Sequence, residues 1–82
     1  LRDWDVSILV WDMLDAMPNG YGIPWAVHAC LFAYGIGLVD NSLLEPLALA
    51  CAEEGRSDFM LTVNPLHMVG GTGSPVNPIA LF

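Results

Sequence analysis

Two side chains with metal-ligand chemistry stand twelve positions apart in this sequence, His28 and Asp40. An imidazole nitrogen and a carboxylate oxygen are the usual donor mix of zinc and manganese sites in proteins. The apolar run around His28 favours a helix that ends at Gly35, and groups on opposite sides of a helix end can meet in space. The two side chains could therefore meet in space as ligands of one metal ion.

Each of these two residues also has an ordinary structural interpretation. A histidine among apolar neighbours is more often a core residue bonded to a backbone carbonyl, and an aspartate that precedes Asn41 is often a turn cap. A hydrolytic metal centre needs at least three protein ligands and an open position for water. His28 and Asp40 are too few on their own to make such a centre.

Other polar residues offer weaker candidates. Asp12 and Asp15 flank the first loop at the end of a presumed strand, where functional side chains of α/β sheets often lie, although loop capping is an equal alternative. His67 is expected at the surface, and Ser74 before Pro75 is typical of a structural turn. The glycines at 70, 71 and 73 do not form a phosphate loop, because no lysine follows them.

The composition limits the partners and the architecture. A chain of 82 residues is at most one small domain and buries only about 60–65% of its unfolded surface. With 55% hydrophobic residues and a mean hydropathy of +0.55, we expect apolar surface that another chain or segment covers. The formal net charge of −7 argues against nucleic acid, since phosphate binding needs clustered lysine and arginine.

Membrane insertion and a disulfide framework are both disfavoured. No apolar run approaches the roughly 18–20 residues that a membrane span needs. Cys30 and Cys51 lie in apolar, helix-like segments, where free buried thiols are usual. We expect a cytoplasmic protein, because a reducing compartment suits free thiols.

The hydrophobic pattern predicts an α/β protein of short strands with two helices. Helices are expected over residues 25–34, after Pro24, and over residues 42–54, where Ser42 and Glu45 have capping-box spacing. The first helix is apolar all round, which predicts burial on most of its faces. Predicted strands cover residues 6–10, 37–41, 59–63 and 79–82, with a glycine- and proline-rich loop before the last strand.

Four segments of the chain, in order, resemble the C-terminal portion of the cyclase family of metal-dependent hydrolases, which includes bacterial kynurenine formamidase (arylformamidase) and isatin hydrolase. The last segment is the most specific of the four. The segments are Trp4-Asp5-Val6 to Pro18, Ile23-Pro24-Trp25-Ala26-Val27-His28, Gly37-Leu38-Val39-Asp40-Asn41 with the following helix, and Phe59-Met60-Leu61-Thr62-Val63-Asn64-Pro65-Leu66 running into Gly-Gly-Thr-Gly-Ser-Pro-Val-Asn-Pro-Ile-Ala.

The resemblance implies a swivelling β/β/α fold, a zinc or manganese site and hydrolysis of amide, formamide or lactam-type bonds by metal-activated water. His28 matches the family's later histidine ligand, and Asp40 matches the later acidic ligand, which is a glutamate in the formamidases. The family's N-terminal motif, His-x-Gly-Thr-His-x-Asp-x-Pro-x-His, has no counterpart in this sequence, so the catalytic histidine and the first metal ligands are absent from it.

We therefore expect residues 1–82 to be a C-terminal fragment of one cyclase-family hydrolase domain, inactive alone and carrying no catalytic residue of its own. In the intact enzyme, of kynurenine formamidase type and tryptophan catabolism by resemblance, His28 and Asp40 would bind the metal and Asp12 would line the site of a small-molecule substrate. A homo-oligomer is also expected. The alternative is a non-catalytic interaction module that dimerises through its apolar surface, with His28 in the core and Asp40 as a turn cap.

Overall fold

The computed structural model describes residues 1–16, 18, 20 and 22–82, and it is a mixed α/β chain. A short 3-10 turn, Arg2–Trp4, precedes the regular elements. In chain order these are β1 (Ile8–Val10), α1 (Ala29–Tyr34), β2 (Gly37–Val39), α2 (Glu45–Glu54), β3 (Met60–Pro65) and β4 (Val76–Leu81). Within the described residues, neither helix is long and apolar enough to cross a membrane. The chain divides into two compact units, Leu1–Leu44 and Glu45–Phe82.

The first unit is built on a pair of parallel strands, β1 and β2, in the register Ile8↔Gly37 to Val10↔Val39. Backbone hydrogen bonds extend the pairing at both ends, from Gly37 N to Ser7 O (2.9 Å) and from Trp11 N to Val39 O (3.1 Å). Parallel strands need a long crossover, which here contains α1. Because the strands run the same way, the residues that follow β1 and β2 emerge at the same sheet edge.

The helix expected over residues 25–34 is shorter than predicted. It begins at Ala29, after a turn in which the Ala29 amide donates to the Trp25 carbonyl oxygen (2.9 Å). Trp25 has a φ of 55°, a left-handed conformation that is incompatible with α-helix and unfavourable for an aromatic residue. His28 is therefore the N-cap of α1 rather than a mid-helix residue. Gly35 ends the helix in the left-handed conformation, as the sequence predicts.

The second helix also starts later than predicted, at Glu45 instead of Ser42. The capping box does not form, because the buried Ser42 hydroxyl has no hydrogen-bond partner among the described residues. The Ser42 amide instead donates to the Trp11 carbonyl oxygen (2.9 Å), which holds the chain in the first unit up to that point. Pro46 lies in the first turn of α2, where its missing N–H is tolerated.

The second unit contains an antiparallel pair, β3 and β4, in the register Met60↔Leu81 to Pro65↔Val76. The prediction of a loop up to residue 78 was wrong, since Val76, Asn77 and Pro78 belong to β4. In a two-stranded sheet each strand is an edge, so Pro78 can lack one donor without breaking the ladder. Ser74 has a structural role: its hydroxyl accepts from the Leu66 amide and donates to the Pro75 carbonyl oxygen, both at 3.0 Å.

Very little apolar surface is enclosed by this chain. Ile36, between α1 and β2, is 3% exposed and is the one buried hydrophobic residue in the described part of the chain. The expected burial of the first helix is wrong for the structure of this chain, because Phe32 is 86% exposed and Leu31 and Tyr34 are exposed as well. The composition led us to expect uncovered apolar surface, and the structure has it in both units.

Replacing Ile36 by alanine removes the buried side chain of the first unit. We expect Ile36→Ala to lower the free energy of unfolding by about 2–5 kcal/mol, or to prevent the unit from folding. Leu43→Ala is the matched control, since Leu43 is exposed in the same unit and its loss should change stability by less than about 0.5 kcal/mol. Urea unfolding followed by tryptophan fluorescence suits this comparison, because Trp4, Trp11 and Trp25 all lie in that unit. Equal effects of the two substitutions would contradict the assigned core.

Candidate metal-binding site

The candidate site lies at the edge of the parallel sheet where β1 and β2 end. Trp11 directly follows β1, and Asp40 directly follows β2. In α/β sheets the carboxyl ends of the strands are the usual place for functional side chains. The turn before α1 brings His28 to the same place, so three distant parts of the sequence meet there.

His28 lies between two carboxylates. Its Nδ1 is 2.7 Å from Oδ2 of Asp15, and its Nε2 is 3.0 Å from Oδ2 of Asp40. The His28 and Asp40 side chains remain partly open to solvent, at 35% and 22% exposure. The edge of the Trp25 ring covers one side of the imidazole, with ring centroids 5.9 Å apart and planes inclined by 71°. His28 and Asp40 are therefore in direct contact, while their role as metal ligands stays a prediction.

Asp15 holds both the backbone and the ring of His28. Its Oδ1 accepts a hydrogen bond from the Val27 amide (3.1 Å), and its Oδ2 accepts from the His28 amide (2.7 Å) as well as contacting Nδ1. These amides belong to the turn that leads into α1, where backbone donors have no partner within the helix. The Asp15 side chain is 5% exposed, so it is occupied by these contacts and closed to solvent.

Trp11 fixes the second carboxylate. Its indole Nε1 donates a hydrogen bond to Oδ1 of Asp40. Indole N–H is a donor only, so this contact assigns one Asp40 oxygen to Trp11. The backbone supports the same geometry, because the Asn41 amide donates to the Met13 carbonyl oxygen (3.1 Å). The remaining oxygen, Oδ2, is the one that faces His28.

The electrostatics of Asp15 result from two opposed effects. Burial by itself raises the pKa of this carboxyl group. Hydrogen bonds from the His28 ring, the His28 amide and the Val27 amide lower the pKa further than burial raises it, and the Coulombic attraction of His28 adds to this lowering. The pKa of Asp15 therefore lies below its ordinary value, and the group is an anion at neutral pH.

The two ring nitrogens of His28 have different hydrogen-bonding roles in a neutral imidazole. A neutral imidazole has one N–H, so when Nδ1 donates to Asp15, Nε2 presents a lone pair. That lone pair faces the lone pairs of Asp40 Oδ2 at 3.0 Å, an arrangement that requires a proton or a cation between them. Two ligands of one tetrahedral zinc ion are about 3.3–3.5 Å apart, so the 3.0 Å separation of Nε2 and Oδ2 is that of a direct contact between the two side chains.

The site offers two metal donors, not a complete coordination sphere. Asp15 is on the Nδ1 side of the ring and cannot reach an ion at Nε2. Within the described residues, no group of three or more histidine, cysteine, aspartate or glutamate side chains is arranged to hold a metal ion. His28 and Asp40 thus bring together two atoms of metal-donor type, one nitrogen and one oxygen.

The other candidates lie outside this cluster. Asp12 is exposed at a bend between Trp11 and Met13, and its expected role beside a substrate stays a prediction. His67 is exposed in the loop between β3 and β4, as expected.

Sequence reasoning missed the roles of Trp11 and Asp15. The sequence predicts Asp15 as a functional or loop-capping residue but not its contacts with His28, because these partners are 12 and 13 positions away and no local spacing points to them. The one signal for Trp11 was its place directly after a strand. Comparisons with protein-family models, with curated proteins and with solved structures found no match to this chain.

Removing the charge of Asp15 should change how stability depends on pH. Because the folded-state pKa is lowered, the carboxylate contributes stability above its unfolded pKa of about 3.9 and loses it as the pH falls through the lower folded value. We expect Asp15→Asn to be less stable than the wild type at pH 7, with the difference shrinking as the pH falls below about 4.

Denaturant unfolding at a series of pH values measures this difference. Asp12→Asn is the matched control, since Asp12 is exposed and should give a curve parallel to the wild type. A constant gap between wild type and Asp15→Asn across the whole acid range would contradict the assigned hydrogen bonds.

Proposed function

We propose that this chain contributes half of the metal centre of a metal-dependent hydrolase of the cyclase family, acting on amide- or formamide-type C–N bonds. The observation that carries the proposal is the approach of His28 Nε2 and Asp40 Oδ2 to 3.0 Å, with Asp15 on the opposite ring nitrogen. The resemblance of the four sequence segments supports the same family. A kynurenine formamidase-like role in tryptophan catabolism is the form of this activity that the resemblance favours.

The contacts give each residue a role. His28 presents Nε2, while Asp15 holds the Nδ1 proton and thereby fixes the tautomer and the ring orientation, an arrangement typical of metal-ligating histidines. Asp40 supplies one oxygen. The cation, zinc or manganese, would serve as the Lewis acid for attack of water on a carbonyl. Asp12, at the same end of β1, would face a small-molecule substrate.

The ligand count predicts that the 82-residue chain does not hydrolyse substrate alone. A hydrolytic centre needs at least three protein ligands, and His28 and Asp40 are two. We expect no hydrolysis of a formylated aromatic amine by the purified chain above a blank that contains the metal alone. Spectrophotometric assay with zinc or manganese measures this. Turnover above the blank would overturn the proposal that ligands and catalytic groups come from elsewhere.

Metal content tests the half-site directly. We expect purified chain dialysed against Zn²⁺ or Mn²⁺ to retain metal in elemental analysis, and His28→Ala to lose it, because Nε2 is one of the two donors that meet among the described residues. His67→Ala is the matched control, since it removes the other histidine of the chain from an exposed loop. Equal metal content in the two variants would contradict a site at His28. No metal in the wild type would mean that the two donors hold no ion without further ligands, so that this chain is an incomplete, inactive part of the enzyme.

The second candidate function is an interaction module that self-associates without catalysis. The observation that favours it is the exposed apolar surface, which includes Phe32 at 86% exposure and Trp4 at 83%. Under this alternative the Asp15–His28–Asp40 contacts are structural. Sedimentation at several protein concentrations distinguishes the candidates: a dimer that forms equally in the wild type and His28→Ala, neither of which retains metal, would favour the interaction module.

A further inference from the structure

We propose that two copies of this chain pair through the free edge of β3, in an antiparallel dimer whose two-fold axis passes beside Thr62. The β3 strands of the two copies would lie side by side, and each β4 would be an outer strand of one four-stranded sheet. The surface concerned belongs to the second unit, so the proposal goes beyond the metal-dependent function and does not rest on it.

β3 pairs with β4 along one side, and its other side is a sheet edge. The pairing with β4 is continuous from Met60 to Pro65 and contains no bulge. Among the described residues, no backbone hydrogen bond apart from those of the β3–β4 pair involves Met60–Pro65. One row of β3 backbone groups therefore has no partner strand, and such a row is a template for pairing with another chain.

The two prolines of the hairpin indicate which backbone groups point to the free edges. In antiparallel sheets, hydrogen-bonded residue pairs alternate with pairs whose N–H and C=O groups point outwards. Pro78 has no N–H and pairs with Val63; Pro65, two positions further along β3, also lacks an N–H and pairs with Val76. Both prolines thus belong to the same alternate set, which is the outward-pointing one, since proline is tolerated where its N–H would face away from the ladder. Leu61 and Val63, in that same set, direct their backbone groups to the free edge of β3.

The edge of β3 is better suited to pairing than the edge of β4. Pro78 lies in the middle of β4 and interrupts its outward row of donors, whereas Pro65 is the last residue of β3. The usual protections against strand addition are a lysine, an inward-pointing charge or a bulge, and β3 has none of them. β3 therefore presents an open and uncharged edge.

The charge distribution favours a second copy as the occupant of this edge. Residues 59–82 contain no lysine, arginine, aspartate or glutamate, although the whole chain has a formal net charge of −7. Net charge of one sign keeps chains apart by repulsion, so two copies can approach most closely where neither carries charge. The uncharged hairpin is such a place on both copies.

The register of β3 makes it complementary to itself. With the two-fold axis beside Thr62, Leu61 of each copy lies opposite Val63 of the other copy, and their outward N–H and C=O groups can bond. Thr62 then lies opposite Thr62 of the second copy, in a pair whose Cβ atoms are about 4.5–5.5 Å apart.

Opposite charges at position 62 test this axis. We expect the wild-type chain to form a concentration-dependent dimer in sedimentation equilibrium. Thr62→Lys and Thr62→Glu each place two like charges face to face, and each should raise the dimer dissociation constant at least about 10-fold. An equimolar mixture of the two variants should restore the dimer, because a lysine then faces a glutamate.

Two control variants separate this edge from other surfaces. Ile79→Lys puts a lysine on β4 at the residue that pairs with Thr62, away from the axis, and should leave the dimer unchanged. Phe32→Ser removes an exposed apolar side chain of the first unit and should also leave it unchanged. Circular dichroism ensures that only folded variants are compared.

Amide hydrogen exchange of the wild type at low and high concentration needs no variant. The amides of Leu61 and Val63 should exchange more slowly in the dimer. The amide of Ala80, which belongs to the outward set of β4, should exchange at the same rate at both concentrations.

Dissociation of both Thr62 variants, with recovery of the dimer in their mixture, supports pairing through β3. A wild-type chain that stays monomeric would overturn the proposal and leave the edge to an extended segment of a different polypeptide. A dimer that persists in both Thr62 variants, or that Phe32→Ser abolishes, would place the interface elsewhere and overturn it as well. Failure of the mixture to associate, or unchanged exchange at Leu61 and Val63, would contradict the axis at Thr62.

Discussion

The hydrogen bonds accepted by the Asp15 carboxylate are the interaction on which the geometry of this site depends. They join the loop after β1 to the turn before α1, and they fix the ring of His28 through the same oxygen that binds its backbone amide. A nearly buried carboxylate is costly to keep unless its oxygens are satisfied, and here both oxygens have partners. The anion is therefore stable in place, as its lowered pKa indicates, and His28 is oriented before any ligand arrives.

Parallel pairing of β1 and β2 supplies the other half of that geometry. Three residue pairs are enough to bring Trp11 and Asp40 to one edge, and the backbone bonds of Trp11 to Val39 and Ser42 continue the pairing beyond the last strand residue. The indole is thus tied to the strand that carries the carboxylate it binds. Asp40 is held through the sheet and His28 through the loop, so the two side chains are positioned by separate parts of the unit.

Sequence patterns predicted which helices form better than they predicted the residues at which those helices begin. The α/β class, the two helices and the stop at Gly35 followed from local chemistry that acts within a few residues. The predicted starts of both helices were wrong because hydrogen bonds between distant residues prevailed. The Asp15 carboxylate accepts from amides of the turn before α1, and the Ser42 amide donates to the Trp11 carbonyl oxygen instead of to the Glu45 side chain. Contacts over such separations leave no spacing to recognise, which is why the hydrogen bonds of Asp15 and Trp11 were not predicted. The metal-ligand roles of His28 and Asp40 remain a prediction.

The proposed metal centre and the exposed apolar surface both need contacts that the described residues do not supply. Under the proposed function, His28 and Asp40 need further ligands to complete a metal centre. Among the described residues only Ile36 is a buried hydrophobic residue, and side chains such as Phe32 are left uncovered. Further polypeptide could meet both needs at once, by bringing donors to His28 and Asp40 and by covering apolar surface. Under the proposed function, metal binding and association would then be coupled, because each favours the same assembled state over the separate chain.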